Sequence, residues 1–206
     1  MLRSTYVSLE SSPSDRDDFF GAIRKKDVGE LDLSIVQSTS PLVRRTKQLV
    51  REAHEECLLV HCAHTGKARV EQGGRTAELS PGDITVYLST EPYDLRFNGW
   101  FDTRVIKIPM AAIRPYVRNI SDLTAVVIKR SSLEGAMLRG MVANVWNERL
   151  ADNAKSTSAL SDALIQVTSA ALQTIPRSVS SELSNLDAYY LTRAKAYVQG
   201  NLRRET

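Results

Sequence analysis

The sequence predicts an α+β fold: a β-barrel of short antiparallel strands, followed by an antiparallel helix pair. Two observations carry this expectation. Residues 73–109 (GGRTAELSPGDITVYLSTEPYDLRFNGWFDTRVIKIP) are cut by turn residues into short runs rich in β-branched and aromatic side chains. After Pro109 the pattern changes, and from Leu133 to Ile175 apolar residues recur at helical spacing. The composition allows such a fold, since 42% hydrophobic residues in a chain of 206 can bury a real core.

Taken in order, residues 1–18 are polar and read as a flexible lead-in. Residues 19–23 (FFGAI) are expected to form a short helix packed on the barrel. Residues 31–36 alternate as a half-buried strand, residues 42–50 give another, and residues 57–63 (CLLVHCA) a third. Residues 67–71 pair with 76–79 across Gln72-Gly73-Gly74. Ser80-Pro81-Gly82-Asp83 is a turn, because proline presets φ and glycine permits a positive φ. Residues 84–88 (ITVYL) are a strand, Glu91-Pro92 breaks it, and residues 93–97 start the next. Asn98-Gly99 is a hairpin signal leading to a strand over 104–108. Seven or eight short strands at close intervals are the signature of a sandwich or barrel. Residues 110–118 read as a short helix or turn, 119–122 as a polar loop, and 123–129 as a final strand.

Ser132 is placed to cap a helix over 133–150, whose apolar residues are Leu133, Met137, Met141, Val145 and Trp146. A loop over 151–157 leads to a second helix over 158–174, with Leu160, Leu164, Val167, Ala171 and Ile175, stopped by Pro176. Residues 177–186 are serine-rich and read as a linker, and Asp187 opens a third helix over 188–201. The predicted layout is a lead-in (1–18), a barrel (19–130), a helix pair (131–176), a linker (177–186) and a terminal stub (187–206).

Charge excludes little. The formal net charge is +3, from 27 basic and 24 acidic residues, too mild and too evenly spread to declare a nucleic-acid surface. No apolar run reaches transmembrane length and no signal-peptide pattern opens the chain, so a cytoplasmic setting without membrane contact is expected. Cys57 and Cys62, five apart on one strand, fall on opposite faces and are not expected to pair.

Catalytic motifs are lacking: there is no Gly-x-Ser-x-Gly elbow, no Walker loop and no distinctively spaced carboxylate pair. The reading is of a protein that is not an enzyme. His54, Cys57, His61, Cys62 and His64 are candidate ligands for zinc or iron. Alternation divides them, with Cys57 and His61 on one face and Cys62 and His64 on the other. All three histidines of the chain lie in this cluster, so no metal or cofactor is assigned.

The ordered set Gly74, Arg75, Leu79, Pro81, Gly82, Asp83, Pro92, Tyr93, Phe97, Ile108, Pro109 and Ile113 resembles the N-terminal sensing domain of AraC/XylS-family transcription regulators. Val43-Arg44-Arg45-Thr46 is similar to a segment such domains carry upstream, and the likeness spans residues 15–175. It implies a cupin-like barrel, two dimerising helices and then a DNA-binding domain with two helix-turn-helix units. Residues 191–202 (LTRAKAYVQGNL) are similar to the first helix of that domain. The chain stops there, so it is read as truncated, with promoter DNA a partner only through the missing part. The resemblance also implies a homodimer, with Met137, Met141, Val145, Leu160, Leu164 and Val167 as the candidate interface residues.

Arg114-Pro115-Tyr116-Val117-Arg118 is an Arg-x-x-x-Arg motif, and Asn119-Ile120-Ser121 follows at once. Together they resemble the two elements by which PilZ domains hold cyclic di-GMP, although here the elements abut and Thr124 stands where that family has glycine. Planar guanidinium forks bond bidentately to phosphate or to guanine O6 and N7. The resemblance implies cyclic di-GMP as effector, bound by Arg114, Arg118, Asn119 and Ser121, with Tyr116 as a stacking surface. One alternative is a small apolar or aromatic effector inside the barrel, lined or gated by Tyr87, Tyr93, Arg96, Phe97, Trp100 and Arg75. The other is a cupin-type metal-binding barrel or enzyme.

Overall fold

The structure is a computed structural model, and it describes residues 10–12, 19–40, 42–53, 55–147 and 153–175. All of these lie in the unit that ends at Ile175. The predicted linker and third helix, residues 148–152 (the end of the predicted first helix and the start of the predicted 151–157 loop) and His54 lie outside the described residues.

Among the described residues ten strands build two five-stranded antiparallel sheets. They are β1 (Glu10–Ser12), β2 (Gly21–Val28), β3 (Leu31–Ser38), β4 (Leu42–Arg45), β5 (Cys57–Thr65), β6 (Ala68–Gln72), β7 (Arg75–Leu79), β8 (Ile84–Leu88), β9 (Tyr93–Phe97) and β10 (Phe101–Pro109). One sheet has the order β1-β4-β9-β6-β7 and the other β2-β3-β10-β5-β8. Helix α1 (Lys47–Arg51) sits between β4 and β5, and its N-cap Thr46 accepts a hydrogen bond from the Leu49 amide. Helix α2 (Met110–Ile113), a 3-10 turn (Ile120–Leu123) and helices α3 (Leu133–Asn147) and α4 (Ala154–Gln173) follow the last strand.

Strands β5, up to Ala63, and β8 are buried on both faces, which explains why they read as continuous apolar runs. Leu59, Ala63, Tyr87, Phe101 and Val105 join Val70, Ala77, Leu79, Leu95 and Phe97 of the first sheet in one core. On the opposite face Leu58, Val60, Ile84, Val86, Ile106 and Ile108 pack with Leu138, Val142, Val145, Leu164 and Leu172 of the helix pair. A sheet covered twice has no solvent face, so alternation gives way to unbroken hydrophobicity.

The signature turn is explained by its hydrogen bonds. Asp83 is buried; its carboxylate accepts from the Ser80 amide at 3.1 Å and from the Arg130 amide at 3.1 Å. The same side chain thus closes the Pro-Gly-Asp turn and fixes the approach to α3. Ser132 caps that helix as expected, its Oγ accepting from the Gly135 amide at 3.1 Å. Lys26 on β2 reaches the other end, donating to the Val145 carbonyl at 2.7 Å. A cation there satisfies orphan carbonyls and complements the helix dipole.

Several sequence expectations are corrected. Residues 19–23 are not a helix: Phe19 and Phe20 are extended and Gly21 begins β2, which pairs with β3 along its whole length. Ladder pairing with a neighbouring strand outweighs the weak local preference of five residues. Residues 42–50 divide into β4 and α1 rather than forming one strand. Asn98-Gly99 does not close a hairpin, because β9 pairs with β4 and β6 while β10 pairs with β3 and β5, so the turn carries the chain between sheets. Residues 123–129 run beside β8 but are not a regular strand. Ile128 pairs with Ile84, and Ala125, at φ +52, interrupts the ladder. The lead-in contains the short strand β1, paired with β4. Helix α4 starts at Ala154, four residues earlier than the apolar pattern suggested, because Asn153 caps it.

Candidate functional site

Residues 110–124 leave the second sheet at Pro109 and fold back along its edge. Ile113, Val117, Ile120 and Leu123 are buried in the core shared with the helix pair. That inward face turns Arg114, Tyr116, Arg118, Asn119 and Ser121 outward, and all five are exposed. Asn119 takes a left-handed conformation (φ 53, ψ 49), which asparagine tolerates better than most residues.

Two contacts hold this stretch in place from outside. Arg75, on β7, donates from Nε to the Thr124 carbonyl at 2.7 Å and from a terminal nitrogen to Thr124 Oγ1 at 2.6 Å and to the Ser121 carbonyl. Gln173, at the last turn of α4, donates to the Tyr116 carbonyl at 3.0 Å. Arg75 is therefore not a barrel-lining residue; its guanidinium points to the 121–124 segment.

Between this stretch and the sheet lies an open cleft of about 320 Å³, lined by Glu56, Leu88, Thr90, Met110, Arg114, Val117, Asn119, Ile120 and Ser121. Three of the five predicted ligand residues, Arg114, Asn119 and Ser121, line it. Tyr116 and Arg118 do not; they stand on the solvent side of the same loop. The cleft joins an apolar wall of Leu88, Met110, Val117 and Ile120 to a polar rim, and Arg114 donates to Glu56 Oε2 at 3.1 Å across it. Glu56 and Thr90 were not singled out in the sequence. Arg75 was, as a residue lining or gating the barrel, whereas its guanidinium holds the 121–124 segment.

A second cleft, of about 370 Å³, is lined by Glu30, Asp32, Glu55, Glu56, Cys57, Lys107 and Pro109. Burial works against the charge of Lys107, but hydrogen bonds to Glu55 and Asp32 outweigh it and the pKa is raised. Burial pushes the Cys57 thiol up as well, with Lys107 opposing.

The barrel interior is lined by rings. Phe97 stacks on Phe101 with centroids 3.6 Å apart, and Tyr87 meets Tyr93 at 4.5 Å. His61 lies among them, wholly buried, and desolvation lowers its pKa to about 4. Thr103 Oγ1 donates its one proton to the Cys62 carbonyl at 3.0 Å, so it accepts from His61 Nε2 at 2.9 Å. That fixes the tautomer and leaves His61 Nδ1 as a buried acceptor without a partner. Arg96 and Trp100, the other two proposed lining residues, face solvent.

The metal-ligand candidates are dispersed. His61 faces the barrel, Cys62 faces the helix pair with its thiol pushed up to about 12 by burial, and His64 is exposed. Both cysteines are free. Among the described residues no group of three or more histidine, cysteine or carboxylate side chains is gathered as a metal would require.

The six interface candidates also separate. Val145 and Leu164 are buried in the core between the helices and the sheet, so they are not available to a second chain. Met141, Leu160 and Val167 are partly buried against the same core. Met137 is 49% exposed, beside Leu133 at 70%. A helix packed on a sheet commits most of its apolar stripe inward, which spacing alone does not reveal.

Residues 1–173 match a family model described as AraC-binding-like domain. A curated protein of Bacillus sp. (strain OxB-1), described as an uncharacterized protein in the nit 5′ region, is 24% identical over 198 residues, covering 96% of this chain and 77% of that one. The crystal structure of the AraC-like transcriptional activator CuxR superimposes with a TM-score of 0.70 at 15% identity, covering 84% of this chain. The chain spans 64% of the length of that structure. No helix among the described residues is long and apolar enough to cross a membrane.

Proposed function

Since the chain belongs to the family of AraC-binding-like domains, we propose that it is the effector-sensing and dimerising part of an AraC-like transcription regulator, with cyclic di-GMP as its effector. The observation that carries the reading is the cleft at residues 110–121. It brings a guanidinium, an amide and a hydroxyl (Arg114, Asn119 and Ser121) to the rim of an apolar wall. Cationic forks suit phosphate and guanine edges, and the wall of Leu88, Met110, Val117 and Ile120 suits a base. At about 320 Å³ the cleft takes one half of a cyclic dinucleotide. The other half lies over exposed Tyr116 and Arg118.

Gln173 links the ligand loop to the end of α4, the helix that leads to residue 176 and beyond. A ligand that favours one arrangement of that loop biases the helix pair, and through it the pairing of two protomers. Leu133 and Met137, exposed on α3, form the contact between protomers. DNA binding is assigned to a C-terminal helix-turn-helix domain, of which residues 187–206 are read as the start. Calorimetry with cyclic di-GMP tests the site. Arg114→Ala and Arg118→Ala should each weaken binding, by about 1 kcal/mol for a solvent-exposed charge contact, and binding indifferent to both substitutions refutes it. Met137→Glu should shift the protein towards monomer in sedimentation.

A second reading is favoured by His61. A bare, fully buried acceptor aimed into a ring-lined barrel suits a small aromatic effector carrying a hydrogen-bond donor. Tight binding of a neutral aromatic compound, abolished by His61→Leu and untouched by Arg114→Ala, would establish it.

A further inference from the structure

An anion site is not where a carboxylate is expected, yet Glu56 lines the Arg114 cleft and takes one of its guanidinium hydrogens. We propose that Glu56 is the resident counter-ion of that cleft: a ligand phosphate displaces it from Arg114, and its charge sets how strongly the site prefers phosphate-bearing ligands to neutral ones. This rests on the cleft being the cyclic di-GMP site.

The ion pair is built to exchange. Its two side chains are 66% and 57% exposed, so solvent screens their attraction and little is lost on separation. The backbone beneath is fixed. The Met110 amide donates to the Glu56 carbonyl at 2.9 Å, and the Cys57 amide donates to Ser89 Oγ at 2.8 Å. Glu56 can therefore leave Arg114 only by turning about its own side-chain bonds. More than half of its side chain already faces solvent, which gives it room to turn into.

Among the described residues no second cation competes for it. Lys107, in that neighbouring cleft, is already held by Asp32 at 3.2 Å and by Glu55. Among the described residues Arg114 is the one cation within ion-pair reach of Glu56. With Glu56 in place, an arriving phosphate meets a carboxylate beside its guanidinium. With a neutral amide there, the same hydrogen bond to Arg114 persists and the repulsion is gone.

The test is calorimetry on the 206-residue chain, comparing wild type, Glu56→Gln and Arg114→Ala, with cyclic di-GMP and with uncharged guanosine. Glu56→Gln should bind cyclic di-GMP about two- to fivefold tighter, the scale of an exposed ion pair. Guanosine affinity and the melting temperature should not change. If wild type binds, Arg114→Ala binds more weakly, and Glu56→Gln is no tighter than wild type, the counter-ion role is overturned while the site stands. Equal tightening for guanosine also overturns it, because the effect would then be one of shape. If neither wild type nor Glu56→Gln binds cyclic di-GMP, the site reading fails and this role with it.

Discussion

Acidification should weaken the fold through His61. The imidazole is wholly buried and desolvation lowers its pKa from 6.5 to about 4. Above pH 6.5 it is neutral in both the folded and unfolded states and contributes no pH dependence. Between pH 6.5 and about 4 the unfolded chain binds a proton that the folded chain refuses, so stability falls as pH falls. The gap of about 2.5 pH units, at 1.36 kcal/mol each, gives a loss of about 3 kcal/mol. Below about pH 4 both states are protonated and the loss levels off. Urea denaturation at intervals from pH 8 to pH 4 measures this, with His61→Leu as the control. Wild type should lose about 3 kcal/mol relative to the variant across the window. Parallel profiles for the two proteins would refute the argument, since they would mean that His61 takes its proton in place or is not sealed from water.

Three further substitutions test how the helix pair and the ligand loop are held. Gly29, at φ +60, turns β2 into β3 where a Cβ would stand 2.8 Å from that of Ser161; Gly29→Ala should cost about 1–3 kcal/mol in chemical denaturation. Lys26→Met removes the hydrogen bond to the Val145 carbonyl and the cation 5.6 Å over the Trp146 ring, and should cost about 1–2 kcal/mol by the same assay. Arg75→Ala releases Ser121 and Thr124 from their fork; it should lower cyclic di-GMP affinity about tenfold or more, with a modest change in melting temperature.

The strands were legible because each carries its signal in its own residues. Alternation marked β3, the Gln-Gly-Gly turn marked β6 and β7, and turn chemistry marked both sides of β8. The apolar run of β5 marked a strand but not that both of its faces are covered. What stayed hidden depends on partners distant in sequence. Residues 19–23 join a ladder set by β3, and Asn98-Gly99 crosses between sheets because β9 and β10 have other neighbours. The fate of Val145 and Leu164 was hidden for the same reason: helical spacing gives an apolar stripe but not what covers it. At the cleft, Arg114, Asn119 and Ser121 were read together because they lie close in sequence. Glu56 and Arg75 were not read as its partners, since they reach it from β-strand neighbours 58 and 46 positions away.

The most direct test is a crystal structure of the chain grown with cyclic di-GMP. Ligand density is expected in the cleft against Arg114, Asn119 and Ser121, with the Glu56 carboxylate turned away from Arg114. Density inside the barrel beside His61, or a cleft still closed by the Glu56–Arg114 pair at saturating ligand, would contradict that expectation.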